Sequence, residues 1–126
     1  MASCNDRQAE FLARDWMLFL GESGCQVSPA TRDGGADVVS NRFVAEVKHH
    51  AAPVGPALVR QIFGVATAEG KVPLFFSLSG YSSASIEFGE RVKMALFVYD
   101  FTQGTLDAKT PAAELALLKG LPSPSR

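Results

Sequence analysis

Along this chain the spacing of apolar residues alternates between helical and strand periods. Leu12, Trp16, Phe19 and Leu20 recur at the three- and four-residue steps of one helix face. Asn5 is the natural N-cap, and Gln8 completes a variant of the capping box. This helix is predicted to reach about residue 22, with Gly24 just beyond it. A short strand over 25–28 then ends at Pro29. Two short strand-like runs follow, 36–40 and 43–48, joined by the polar pair Asn41-Arg42. A second helix is predicted over 56–69, opened by Pro56, closed by Gly70, and buried along Leu58, Ile62 and Val65 or Ala66. The run 72–78 is almost continuously apolar, as a strand covered on both faces must be, with Pro73 at its start. After the turn Ser79-Gly80-Tyr81-Ser82 come a third helix over 83–93, an apolar strand over 95–99, and a short helix over 111–119 capped by Thr110 and Pro111. The tail 122–126 is expected to fray.

The order α-β-β-β-α-β-α-β places this chain in the α/β class. Strands separated by helices require parallel crossovers, whereas the first three, joined by short turns, should be antiparallel. The expected product is one mixed, twisted sheet flanked by helices on both faces. The 126 residues are read as a single domain with its core over about 5–101.

Composition narrows the function classes. With 47% apolar and 20% charged residues the chain is an ordinary globular protein, not a disordered tail. Its net charge of -1 argues against a strong, non-specific nucleic-acid binder, which usually carries a basic excess, but does not exclude a nuclease, whose acidic metal site cancels basic residues in the sum. Positive charge is nonetheless concentrated mid-chain in Arg42, Lys48, His49, His50, Arg60 and Lys71. Cys4 and Cys25 supply neither a disulfide framework nor a zinc spacing. The apolar run from Trp16 to Leu20 is too short for a signal-peptide core or a membrane span, so no membrane association and a reduced, cytoplasmic setting are expected.

The chemistry concentrates in the alternating pair of strands. A two-residue turn at Asn41-Arg42 sets Asp37 directly across from Glu46. Cross-strand partners have β-carbons about 4.5–5.5 Å apart, and like charges there destabilise a sheet. A hard divalent cation between the two carboxylates would reverse that sign. Alternation puts Glu46 and Lys48 on the Asp37 face and Phe43, Ala45 and Val47 on the other. The competing reading is a half-solvated hairpin with charge outside and apolar residues inside. Asn-Arg is also weaker turn chemistry than Asn-Gly, and a one-residue slip would carry Asp37 to the opposite face.

Asp37 followed by Glu46-Val47-Lys48 resembles the D…(D/E)xK signature of the PD-(D/E)xK nucleases. Longer words extend the likeness: Asp33-Gly34-Gly35-Ala36-Asp37-Val38-Val39, Val59-Arg60-Gln61-Ile62-Phe63-Gly64, Leu74 through Glu90, and Leu96-Phe97-Val98-Tyr99-Asp100. In this order, over about residues 8–100, they resemble the Mrr-type catalytic domain of modification-dependent restriction enzymes. The resemblance implies a restriction-endonuclease-like fold and a Mg²⁺-dependent DNA endonuclease of Mrr-like, type IV restriction kind, with Mn²⁺ able to stand in. Residue by residue, Asp37 matches the metal-binding aspartate, Glu46 the second carboxylate (often Gln in this branch) and Lys48 the lysine. Glu10 matches an additional acid on the first helix that reaches the metal, often through water, against the alternative of a solvated helix glutamate, and the backbone carbonyl of Val47 is the implied third metal ligand. Gly34 and Gly35 would serve the turn that aims Asp37.

Around that site, Arg42, His50, Arg60 and Gln61 are candidates for nucleic-acid backbone contacts. His49, one strand position before His50, should face the other way. Ser79, Tyr81 and Ser82 could hold a phosphate oxygen, but helix capping by Ser82 or Ser83 is the preferred reading. The chain departs from relatives in lacking Gln-x-x-x-Tyr on the second helix, since Gln61 is followed by Gly64 and Val65. It also shows no separate DNA-reading domain, so targeting would fall to a homodimer or a separate protein. The alternatives are a catalytically silent nucleic-acid-binding or assembly module on the same fold, or a nuclease toxin.

Overall fold

A computed structural model describes residues 4–29 and 35–122. Helix α1, Asp6–Phe19, starts at Asn5, whose side chain accepts the Gln8 amide while the Gln8 side chain accepts the Asn5 amide. The reciprocal bonds satisfy two donors that a helix start otherwise leaves orphaned. α1 ends a turn earlier than predicted, at Leu20 as C-cap. Its sheet-facing stripe is also different. Ala9, Ala13, Met17 and Leu20 are buried, Leu12 and Trp16 flank them half-buried, and Phe19 is 76% exposed. Small alanines let the helix axis come close to the sheet, and the bulkier residues are displaced to the flanks.

Strands β1, Gln26–Val27, β2, Val38–Val39, and β3, Phe43–Lys48, form an antiparallel meander. Helix α2, Pro56–Glu69, crosses to β4, Val72–Ser77, and helix α3, Ser83–Arg91, crosses to β5, Ala95–Asp100. The β3–β4 and β4–β5 pairs are parallel. Together with β6, Thr105–Ala108, and helix α4, Pro111–Lys119, this gives one six-stranded sheet in the order β1-β2-β3-β4-β5-β6. Successive right-handed crossovers in one direction along a sheet put both helices on the same face. Accordingly α2 and α3 cover Val44, Phe75 and Leu96, whereas α1 and α4 cover Phe43, Phe76 and Phe97. The predicted mixed sheet with helices on both faces is the observed one.

β6 escaped the sequence reading because only Leu106 of its four residues is buried, so it carries almost no hydrophobic signal. Its turn was readable. Asp100 Oδ1 accepts the amides of Thr102 and Gln103, each at 3.0 Å, and Gly104 takes φ +69°. That is the Asp-to-Gly punctuation of a short hairpin loop. In α2 the buried line is Val59, Ile62 and Ala66, with Leu58 half-buried beside it, one position from the predicted stripe.

Thr110 fastens α4 to the sheet. Its buried hydroxyl donates to the Met94 carbonyl at 2.7 Å and accepts the amides of Leu96 at 3.2 Å and Ala113 at 3.4 Å. Valine has the same shape but removes every one of these bonds, leaving buried backbone groups unpaired at about 1–3 kcal/mol. Thr110→Val is therefore expected to lower stability by about 2 kcal/mol in urea titration. A change within about 0.5 kcal/mol would mean that the hydroxyl is not holding the junction.

Candidate active site

The β2–β3 hairpin has the register predicted from sequence. Val38 faces Ala45 and Val39 faces Val44, and the turn closes with the Ser40 amide donating to the Phe43 carbonyl at 2.9 Å. Ser40 Oγ also accepts the Phe43 amide at 3.1 Å, which compensates for the absence of Asn-Gly at the turn. The match ends at Val38: the Asp37 amide bonds the Ala45 carbonyl, a bulge-like departure, so the predicted direct pairing of Asp37 with Glu46 is not among the observed cross-strand partners. Phe43, Ala45 and Val47 enter the core beneath α1 and α4, and Val44 enters the core beneath α2 and α3, so alternation places Glu46 and Lys48 on the α2 side.

Asp37 lies just before β2 and is only 4% exposed. Its amide donates to the Ala45 carbonyl at 2.9 Å, and its carbonyl accepts the Ser28 amide at 2.8 Å. Its carboxylate Oδ2 accepts the Val47 amide at 2.8 Å. Backbone on both sides therefore fixes this side chain against the residue between Glu46 and Lys48. Gly35, with φ +79°, makes a turn two residues earlier that a side chain would strain. Gly34 and Asp33 lie outside the described residues.

Glu46 and Lys48 are successive residues on their strand face, with Oε2 and Nζ 3.4 Å apart. Both are mostly buried, at 15% and 26% side-chain exposure, so their charges act through less water than a surface pair. In a strand a residue's N–H and C=O project from the same edge. Because the Val47 N–H points to Asp37, the Val47 carbonyl is turned to that edge as well, while the Lys48 carbonyl points the other way and accepts the Leu78 amide at 3.0 Å. The cluster sits at the C-terminal end of β3, where Lys48 pairs with Ser77 of parallel β4. Crevices at such strand ends are where open α/β sheets take ligands.

Glu10 is connected to this corner by residues that sequence reading did not single out. Arg7 Nη1 donates to Glu10 Oε1 at 3.0 Å and to the Ser28 carbonyl at 2.6 Å. Ser28 in turn carries the Asp37 carbonyl on its amide and donates Oγ to the Ala36 carbonyl at 2.6 Å. The Arg7–Glu10 spacing of one helical turn was the available signal. Among the described residues no three His, Cys, Asp or Glu side chains form a cluster able to hold a metal ion. The donors expected from sequence, the Asp37 and Glu46 carboxylates and the Val47 carbonyl, are all hard oxygens, the kind that Mg²⁺ or Mn²⁺ takes rather than a thiolate- or imidazole-seeking ion.

The remaining candidates separate clearly. His50 is exposed beyond Lys48, its carbonyl accepting Ser79 Oγ. His49 points to the opposite face, as alternation requires, with Nδ1 2.7 Å from the Tyr99 hydroxyl and its ring stacked on Tyr99. Arg60 and Gln61 are exposed on α2, with Arg60 over the Phe88 ring at 5.4 Å. Arg42 is at the far end of β3, ion-paired to buried Glu22, hydrogen-bonded to the Pro122 carbonyl at 2.8 Å and stacked on Phe43. Ser82 caps α3 by accepting the Ser85 amide, and the Tyr81 hydroxyl reaches the carbonyls of Phe75 and Phe97, so both are used within the fold.

A family model described as a restriction endonuclease, the Mrr catalytic domain, matches residues 1–101. The chain belongs to this family. No curated protein and no solved structure matches it significantly. The Mrr-type domain is thus a restriction-endonuclease-like nuclease fold, and β6 and α4 lie beyond the matched part. Among its described residues no helix is long and apolar enough to cross a membrane.

The tyrosines around this corner make a pH prediction. Burial pushes the Tyr81 phenol well above its usual range. Burial, then the nearby Cys4 and Asp6, raises Tyr99 in the same direction. Phenols that ionise first in the unfolded chain contribute stability that is complete below about pH 10 and is lost as pH rises further. The urea midpoint of the Mrr-type domain is expected to fall above about pH 10, and less steeply in Tyr81→Phe. Identical slopes for the two proteins would contradict this role of Tyr81.

Proposed function

We propose that this Mrr-type domain is a Mg²⁺-dependent endonuclease that hydrolyses phosphodiester bonds of DNA at Asp37, Glu46 and Lys48. The carrying observation is the Asp37 carboxylate seated on the Val47 amide, beside the Glu46–Lys48 pair, at the end of a parallel strand. Asp37, Glu46 and the Val47 carbonyl would hold the cation. A bound divalent ion supplies charge neutralisation at the scissile phosphate and a lowered pKa for the attacking water.

The chain's own groups do the rest. Lys48, kept close by Glu46, presents an ammonium that orients the water or takes up negative charge on the phosphoryl oxygens. Burial strengthens that interaction relative to water. Glu10, steadied by Arg7, adds an acid that acts through solvent on the same corner. His50, Arg60 and Gln61 are the proposed contacts to the nucleic-acid backbone, and they position the strand without reading sequence. Targeting then depends on a second copy or a separate protein. The net charge of -1 favours the same requirement, since the domain has no basic excess to hold DNA unaided. It is also the one observation in favour of a silent binding or assembly module.

The test is a panel of supercoiled plasmid, linear duplex, single-stranded DNA and RNA incubated with Mg²⁺, Mn²⁺ or chelator. Cutting of DNA with either metal and none in chelator is expected. Divalent-ion titration showing neither binding nor cleavage would leave the silent module as the reading.

A further inference from the structure

Helix α4 is apolar on both sides. Ala113 and Ala116 face the sheet, while Leu115, Leu117 and Leu118 face outward, Leu118 being 82% exposed. A helix that is hydrophobic all round is built to be covered all round. Beside the leucine ridge runs a groove of about 330 Å³ walled by Val72, Leu74, Ala95, Ala112 and Leu115. The Leu20 carbonyl accepts the Leu121 amide at 2.8 Å, which ties the end of α1 to the end of α4 and brings Leu18 and Phe19 to the same end of the molecule.

From this surface we infer that α4 and its groove form the interface of a two-fold dimer of this chain. A two-fold interface uses one patch twice, so the patch must complement itself. This one carries an apolar ridge and an apolar groove side by side. A different partner would need only one of the two. Charge supports the same occupant. Glu90, Lys93, Glu114 and Lys119 surround the patch, all exposed, and among the described residues none of them is in an ion pair. Two acids and two bases leave the patch no net charge to repel its own two-fold image and give each copy both signs to pair across it, whereas a nucleic acid would require a positive excess. Val72 begins β4 and Lys48 ends β3, so the interface lies at the opposite end of the parallel strands from the candidate active site. It stands whether or not that site cuts DNA.

Sedimentation equilibrium of the full chain is expected to give the dimer mass at micromolar concentration. Leu118→Glu should weaken association at least about tenfold, because it places a charge at the centre of an apolar contact. Its helix content by circular dichroism should be unchanged, since Leu118 touches solvent. Lys93→Glu with Lys119→Glu should also give monomer, and adding Glu90→Lys with Glu114→Lys should restore the dimer by restoring complementarity. A wild-type chain that stays monomeric up to about 0.3 mM, where even a weak complex would register, overturns the inference. So does a dimer indifferent to Leu118→Glu and to the charge reversals, which would place the contact, or another occupant, elsewhere.

Discussion

Asp37→Asn is expected to leave a folded domain that has lost at least about a hundredfold in DNA cleavage. Asparagine retains the oxygen that accepts the Val47 amide, so the link across the hairpin survives. What disappears is a carboxylate charge and, on the proposed reading, with it the affinity for a divalent ion. Because the hydrogen bond to Val47 is kept and a charge on a 4% exposed residue is removed, stability should hold or rise slightly. This combination separates a catalytic carboxylate from a structural one. Activity lost with stability retained is the predicted outcome, read from plasmid nicking and urea titration on one preparation. Equal loss of both would make Asp37 a structural pin, and no loss of nicking would remove it from the chemistry.

Arg42→Ala should act in the opposite way. Glu22 is 4% exposed and receives the Arg42 guanidinium, which also holds the Pro122 carbonyl and covers the Phe43 ring. Removing the arginine leaves a buried carboxylate without that partner, a change that costs about 3–5 kcal/mol when a pair is fully buried. Because Arg42 is partly exposed, a loss of about 3 kcal/mol is expected. Glu22→Gln, which keeps an acceptor without a charge, should lose less. The sequence suggested that Arg42 contacts nucleic acid, and the two roles give different signatures. A weaker urea midpoint with unchanged DNA affinity per folded molecule supports the clasp. Weaker DNA binding at unchanged stability would support the backbone contact.

Much of this architecture was readable because local chemistry and long-range pairing agree. The Asn5–Gln8 box, Pro56 and Gly70, and Thr110-Pro111 each mark a helix end where one stands. The two-residue loop at Asn41-Arg42 gave the Val38–Ala45 and Val39–Val44 register, whereas the departure at Asp37, whose amide bonds the Ala45 carbonyl, had no local signal. Buried stripes were harder. Helical period identifies a face only to within one residue, and in α1 close approach to the sheet selected Ala9 and Ala13 over Leu12 and Trp16. β6 was invisible because an edge strand with one buried residue has no pattern to detect.

The site follows the same division. Asp37, Glu46 and Lys48 could be proposed together because strand alternation and a two-residue turn are local facts. Arg7 and Ser28 were missed because their role arises from α1 docking on β1, a contact between elements that neither sequence segment encodes alone. Arg42 was assigned by charge, which cannot distinguish a guanidinium facing a phosphate from one facing Glu22.

The most direct measurement compares wild type with Lys48→Ala, purified identically, for cleavage of supercoiled plasmid in Mg²⁺ and in chelator. Lys48 is partly exposed at a strand end, so its loss should leave the fold intact. Wild-type cutting in Mg²⁺ alone, with the variant at background, is the predicted result. Equal cutting by both proteins would contradict the assignment and trace the activity to a contaminant.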